Sequence, residues 1–184
     1  MPKLTSDFKQ AISSLSPAEL KKIIFRFSRN NQAMYDTLSF EYVKDNTAID
    51  LFEEAKEDIE FNFDDLSGRV IQKKLAKAIG NSVQSINEFK KITKDKKLEA
   101  DLLVFLLKIV FDTYSKELGT CWSIFDSKVA VTTNRLYNLI TKKLHQDFLL
   151  DYEEDINKFL NILKKECSHL NYVYKMPNTL EKFK

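Results

Sequence analysis

Histidines and glutamates are the residues that could hold a metal ion in this 184-residue chain. Glu166 and His169 show the Glu-x-x-His spacing that di-iron carboxylate bundles use once on each of two helices. A working site needs that motif twice, and the other histidine, His145, has Lys142 where the glutamate would stand. We therefore interpret His169 as an ordinary surface or capping histidine rather than a ligand.

A second set of carboxylates is formed by Glu53, Glu57 and Glu60, which share one face of a predicted helix over residues 48–61. Carboxylate oxygens suit a hard divalent cation, but no histidine or loop ligand lies near them in the sequence. Three like charges on a helix usually form a solvated face. The sequence therefore predicts no metal and no cofactor, and a metal-dependent enzyme is the least favoured functional class.

Motifs of the common enzyme classes are absent from the sequence. It has no glycine-rich phosphate loop, no cysteine pairs at zinc spacing and no nucleophile elbow, so we predict no catalytic residues. The two cysteines, Cys121 and Cys167, lie far apart, and the N-terminus shows no signal-peptide pattern. We expect a cytoplasmic protein whose cysteines are reduced and buried as small apolar side chains.

The segment that suggests a specific binding activity is residues 72–91, QKKLAKAIGNSVQSINEFKK. It has the layout of a helix-turn-helix reader of DNA, with helices over residues 69–79 and 82–91 and a turn at Gly80 and Asn81. The side chains that would contact nucleic acid are Gln84, Ser85, Asn87, Lys90 and Lys91. Against this hypothesis, Asn81 occupies a position that is usually apolar, and the second helix has no arginine.

Charge is distributed in blocks along the chain. Residues 41–66 carry ten acidic and two basic side chains, whereas residues 67–97 carry nine basic and two acidic ones. The net charge is only +2, which leaves little long-range attraction for a polyanion if the two blocks lie together. We therefore expect the basic block to lie opposite the acidic helix of residues 48–60.

The elements that position these residues are predicted to be helices. Glycine and proline number three each, which leaves little material for tight turns. The most apolar stretch, residues 98–118, leaves only a narrow polar stripe of Asp101, Lys108, Asp112 and Ser115, so it must be a core helix covered on at least two sides. Its charges exclude a membrane span, and Gly119 is expected to end it.

We predict an all-α fold of seven to nine helices, arranged as antiparallel hairpins in a bundle or a short solenoid-like array. One domain spans residues 1–184, with a tail that frays from about residue 171. A capping box at Ser16 and Glu19 starts the first hairpin, and Thr47 with Asp50 starts a later helix. The apolar stripes expected to face the core of the first hairpin are Leu20, Ile23, Ile24 and Phe27 on one helix and Met34, Leu38 and Tyr42 on the next. Two long amphipathic helices, over residues 134–148 and 151–170, close the chain.

Three segments carry a resemblance to a known family. Leu15-Ser16 with Glu19-Leu20, the acidic run FEEAKEDIE at residues 52–60 and EADLLVFLL at residues 99–107 resemble a bacterial family of small all-helical proteins known only as a domain of unknown function. The resemblance covers about residues 10–170. It implies an α-helical, solenoid-like domain with no assigned activity, and it transfers no functional residue.

From these observations we expect a protein–protein interaction or structural module that is not an enzyme and whose partner is a protein, not a membrane. Nucleic-acid binding through residues 72–91 is the alternative, and a metal-dependent enzyme is the second alternative.

Overall fold

The computed structural model of the chain describes residues 3–43, 47–120 and 124–180. Within these ranges the chain forms nine α-helices and no β-strand, so the predicted all-α array of helical hairpins is confirmed. Contacts divide the chain into two compact units, Met1–Asn46 and Thr47–Lys184. The expectation of one domain over residues 1–184 stays a prediction.

The N-terminal unit consists of three helices, α1 (Ser6–Ser13), α2 (Pro17–Asn30) and α3 (Gln32–Tyr42). At the start of α2, Ser16 Oγ accepts the Glu19 N–H at 3.3 Å, and the Glu19 carboxylate accepts the Ser16 N–H at 2.8 Å. This reciprocal pair is the predicted capping box, and it satisfies donors that a helix start leaves open. Asn31 separates α2 from α3 and caps α3, so the two helices form the predicted hairpin.

The second unit contains the other helices: α4 (Ala48–Phe63), α5 (Ile71–Thr93), α6 (Lys96–Thr113), α7 (Ile124–Lys143), α8 (Leu149–Glu166) and α9 (Asn171–Tyr174). Thr47 and Asp50 form the second predicted capping box, at the start of α4. Helices that follow each other in the chain pack together, and α6 also contacts α4 and α8. The unit is therefore a bundle built from consecutive hairpins.

The centre of this bundle is α6, as predicted, with nine buried residues. Its polar stripe faces α8. The Tyr152 hydroxyl donates to Asp101 at 2.6 Å, Lys108 pairs with Asp155 at 2.8 Å, and Lys158 pairs with Asp112 at 2.7 Å. None of the helices in the described ranges combines the length and the apolarity that crossing a membrane requires.

The end of α6 differs from the prediction of a helix over residues 98–118. The helix ends at Thr113, and Ser115–Glu117 form a short 3-10 turn. Gly119 follows in a loop, with φ of +85°. There its N–H donates to the Asp126 carboxylate at 3.2 Å, and a Cβ atom would lie 2.8 Å from the Glu166 carbonyl oxygen. This glycine therefore permits the close approach of the α8 end rather than ending α6.

The prediction of a turn at Gly80 is wrong, because α5 runs without interruption from Ile71 to Thr93. Lys128 on α7 explains the glycine: its Nζ donates to the Ala76 carbonyl at 2.7 Å, and a Cβ atom at Gly80 would lie 2.7 Å from that Nζ. Asn81 donates to Asn62 on α4 at 3.3 Å. The glycine and asparagine that suggest a turn are therefore contact positions on two sides of a continuous helix.

The last helices also differ from their predicted bounds. α7 begins at Ile124, before the predicted start at residue 134, and residues 121–123 lie outside the described ranges. Two polar residues, Thr132 and Thr133, interrupt the apolar periodicity of the helix. Their hydroxyls donate to carbonyls four residues earlier at 2.8 and 2.9 Å. These bonds satisfy the buried hydroxyls inside the helix.

The tail that is predicted to fray from residue 171 packs against the bundle as far as the structure describes it. Val173, Met176 and Leu180 are buried. The Leu180 N–H donates to the Asn157 side chain on α8 at 2.6 Å. Burial of apolar side chains and a satisfied backbone donor oppose fraying.

We predict that Gly80→Ala stabilises the protein by up to about 1 kcal/mol when Lys128 is also replaced by alanine, because alanine is the better helix former and the competing ammonium is gone. With Lys128 present, the same substitution displaces the ammonium from the Ala76 carbonyl, so we expect a smaller increase in the free energy of unfolding. Urea denaturation of the four chains of this double-mutant cycle measures both values. A loss of stability from Gly80→Ala in the Lys128→Ala background would contradict a continuous α5.

Candidate functional surfaces

A groove of about 860 Å³ lies on the N-terminal unit and is lined by both α2 and α3. Six of its lining residues are apolar or aromatic: Ile24, Phe25, Tyr35, Leu38, Tyr42 and Val43. The one charged side chain in the lining is Arg29. A concave surface with this composition is typical of a site that binds another apolar surface.

Apolar side chains are strongly exposed in this unit. None of residues 3–43 is buried, and the exposed fraction reaches 62% for Phe25 and 74% for Tyr42. The predicted core stripe of α2 is half-buried at Leu20 and Ile23 only, and Ile24 and Phe27 are exposed. Three helices of 8, 14 and 11 residues have too little mass to enclose a core of their own. Exposed apolar patches of this kind mark interaction sites.

The two helices that form the hairpin differ in charge. α2 has four basic side chains, Lys21, Lys22, Arg26 and Arg29, and its one acid, Glu19, is used in the capping box. α3 has two acids, Asp36 and Glu41, and no basic side chain. Gln32 in the lining donates to Asp36 at 2.7 Å, which holds that carboxylate beside the groove.

The residues proposed to contact nucleic acid lie along one helix, α5, rather than on a separate recognition helix. Gln84 donates to Glu88 on the same helix at 3.0 Å, and Ser85 donates to Asp58 on α4 at 3.0 Å. Asn87 is half-buried, and Lys91 is exposed. With no turn before it, this segment cannot enter a groove of DNA as a helix-turn-helix does.

Lys90 belongs to an ionic cluster around a buried carboxylate, and the sequence does not reveal this cluster. Glu99 on α6 is only 2% exposed, and its Oε1 accepts from Lys90 Nζ at 3.0 Å and from Arg135 Nη2 at 2.8 Å. The three side chains join α5, α6 and α7. Their separation along the chain leaves no local pattern, so only the packing of the helices identifies them as partners.

The expected pairing of the basic block with the acidic helix takes a different form. α4 and α5 do pack together, but the bonds between them include neutral groups, such as Asn62 with Ser82 at 3.3 Å and Asn81 with Asn62 at 3.3 Å. Lys90 pairs instead with α6. Part of the positive charge of α5 is therefore compensated by the central helix.

The candidate metal ligands do not converge. Glu53 pairs with Lys56 at 3.0 Å. Glu166 is the last residue of α8, and His169 lies beyond the helix end with its Nε2 3.6 Å from the Asp126 carboxylate. In the part of the chain that the structure describes, no group of three or more histidine, cysteine or carboxylate side chains could hold a metal ion.

Cys167 is fully buried, as expected, at the C-terminal end of α8. Burial, reinforced by the nearby Asp126 carboxylate, raises the pKa of its thiol to about 12. The thiol is therefore protonated at neutral pH and is a poor nucleophile. The expectation for Cys121 falls outside the described residues.

A scan against protein-family models found no match, and searches among curated proteins and solved structures found none either. The resemblance to a bacterial helical family therefore stays a prediction.

We predict that Glu99→Ala lowers the free energy of unfolding by about 1.5 to 3 kcal/mol, because the charge-assisted hydrogen bonds that join Lys90 on α5 and Arg135 on α7 to the buried carboxylate are lost. Asp112→Ala is the matched control on the same helix. Its ion pair with Lys158 is half exposed and screened by water, so its loss is expected to be much smaller. Equal losses in urea denaturation would contradict a special role for the buried cluster.

We also predict that Cys167 resists alkylation in the native protein at pH 8, since its thiol pKa is raised to about 12. Unfolding returns that pKa to its ordinary range near 8.5, and the thiol then reacts readily. Mass spectrometry of the peptide that contains Cys167 measures both rates. Because this pKa is higher in the folded than in the unfolded protein, the contribution of the protonated Cys167 thiol to the free energy of unfolding is complete below the unfolded pKa. It is lost as the pH rises toward 12.

Proposed function

We propose that this chain is a protein-interaction module and that its N-terminal unit is the part that binds another protein. The observation that carries this proposal is the groove lined by α2 and α3, whose aromatic side chains remain exposed. Burying a large apolar side chain contributes about 1.5–3 kcal/mol. More than half of the surface of Phe25, Tyr35 and Tyr42 is exposed, so a partner can bury apolar area that their own unit leaves in contact with water.

The types of these side chains support a protein as the partner. Tyrosine and phenylalanine are enriched at protein interfaces, where they supply large contact areas at a small cost in side-chain entropy. The second unit contrasts with this surface, because α6 is covered by its own neighbours. The two-cysteine composition favours the cytoplasm as the place of this activity.

Nucleic-acid binding is the weaker proposal. Lys90, one of its two lysine contacts, is paired with Glu99 and would have to leave a buried carboxylate in order to bind a phosphate. The loss of one of its two cations would leave the buried Glu99 carboxylate less compensated, and this cost opposes the transfer of Lys90 to a phosphate.

Site-specific cross-linking tests the proposal. We expect a photoreactive phenylalanine analogue at position 25 to form a discrete adduct with a protein when the full-length chain is irradiated in the cells that produce it. The matched control places the same analogue at Phe61, which is 80% exposed but belongs to the second unit.

The comparison of the two positions decides the outcome. An adduct at position 25 that is absent at position 61 supports the interaction surface, whether the captured protein is another molecule of this chain or a different protein. No adduct at position 25, or the same adducts at both positions, would contradict the proposal.

A further inference from the structure

We propose that the second unit binds a small quaternary ammonium cation in a cleft between α4, α6 and α8. The cleft has a volume of about 300 Å³. It lies wholly within the second unit, so this proposal does not depend on the proposed function of the N-terminal unit. Three features of the cleft support it: two phenylalanine rings, an excess of carboxylates, and a lysine that already holds its ammonium group against the rings.

The side chain of Lys56 on α4 shows that the cleft accommodates a cation beside aromatic rings. Its Nζ lies 5.6 Å from the ring centroid of Phe52 and 5.4 Å from that of Phe105 on α6. Both distances are within the range of about 6 Å at which a ring face attracts a cation. All three side chains line the cleft. Lys56 is therefore an internal occupant of the position that a ligand would take.

Lys56 can leave this position at a small cost. Its other partner is Glu53 on the same helix, 3.0 Å away, and the two side chains are 30% and 55% exposed. An exposed pair of this kind contributes little to stability, and the long lysine side chain can turn its ammonium group toward water. A ligand cation that covers both rings replaces the attraction that Lys56 gives up. Exchange of one cation for the other is therefore feasible.

The charge of the lining favours a cation over an anion. Carboxylates in the lining outnumber ammonium groups by three to two: Asp101, Asp151 and Asp155 against Lys56 and Lys108. When Lys56 turns away, the excess of negative charge increases. Asp151 in the first turn of α8 is exposed, so a ligand can contact its carboxylate directly. A cation is thus attracted both by the rings and by the carboxylates.

The rings favour a quaternary ammonium group among the possible cations. A ring face is a poor hydrogen-bond acceptor, so a primary ammonium group needs another acceptor, and Lys56 finds one in Glu53. A quaternary group has no N–H donor to satisfy, and aromatic recognition of such groups is common. A phosphate attached to the ligand would approach the carboxylates of the lining. The ligand is therefore a free cation rather than a phosphorylated head group.

The first experiment is titration of the full-length chain with choline, followed by the NMR signals of the backbone amides. We expect signals around the cleft, on α4, α6 and α8, to shift with a dissociation constant on the order of 1 mM, since so small a ligand makes few contacts. The uncharged carbon analogue of choline, 3,3-dimethylbutan-1-ol, should bind at least about fivefold more weakly, because the ring faces attract the charge. Equal binding of the two compounds, or no shift of these signals with choline, overturns the proposal.

The second experiment removes the internal occupant. Lys56→Ala uncovers both rings and deletes a positive charge, so the dissociation constant for choline should fall at least about fivefold. Lys158→Ala is the matched control, because Lys158 pairs with Asp112 and is not among the residues that line the cleft. It should leave the affinity unchanged. No gain in affinity from Lys56→Ala, or an equal gain from Lys158→Ala, overturns the proposal.

The third experiment separates a free cation from a phosphorylated head group and tests the rings. Phosphocholine should bind more weakly than choline at low salt, and tighter binding would overturn the assignment to a free cation. Phe105→Leu keeps an apolar side chain but removes one ring, so it should weaken choline binding by about threefold or more. Circular dichroism checks that this variant keeps its helices. A folded Phe105→Leu chain that binds choline as well as the wild type overturns the proposal.

Discussion

The apolar surface of α6 is the constraint on which the second unit depends. Nine of its 18 residues are buried, so one neighbouring helix cannot cover it, and α4, α5, α7 and α8 all pack against it. Enclosure creates a second requirement, because the charged side chains of α6 need partners among the covering helices. Glu99 finds Lys90 and Arg135, and Lys108 finds Asp155. Apolar packing thus brings the helices together, and these polar pairs join α6 to α5, α7 and α8.

The helices of the N-terminal unit also have apolar faces that need to be covered. Its helices are correctly capped and amphipathic, but together they have too little mass to bury the stripes that they present. Ile24 and Phe27 have the spacing of core residues and are nevertheless exposed. An apolar stripe indicates that something must cover a helix, and it does not say whether the cover belongs to the same chain. The surplus of apolar surface is therefore the feature that favours an interaction role for this unit.

Charged side chains have different environments in the two units. In the second unit, Glu99 is removed from water and held by two cations, and Lys90 is one of them. In the N-terminal unit, basic side chains lie along α2 and acidic ones along α3, and Arg29 is the charged side chain that lines the groove. A charged side chain therefore becomes part of the packing where a group of opposite sign reaches it within the fold, as Lys90 and Arg135 reach Glu99.

The sequence by itself determined the helical class, the two capping boxes and the central place of α6, because capping and apolar periodicity are local properties that act within a few residues. The tertiary structure decided the rest. It placed Gly80 inside a continuous α5, where Lys128 on a distant helix occupies the space beside the glycine. It ended α6 at Thr113, and it assigned Gly119 to a close approach with Glu166. It also left the apolar stripe of α2 without any fully buried residue. Each of these outcomes depends on atoms far apart in the chain, and contacts of that kind leave no pattern in a local stretch of residues.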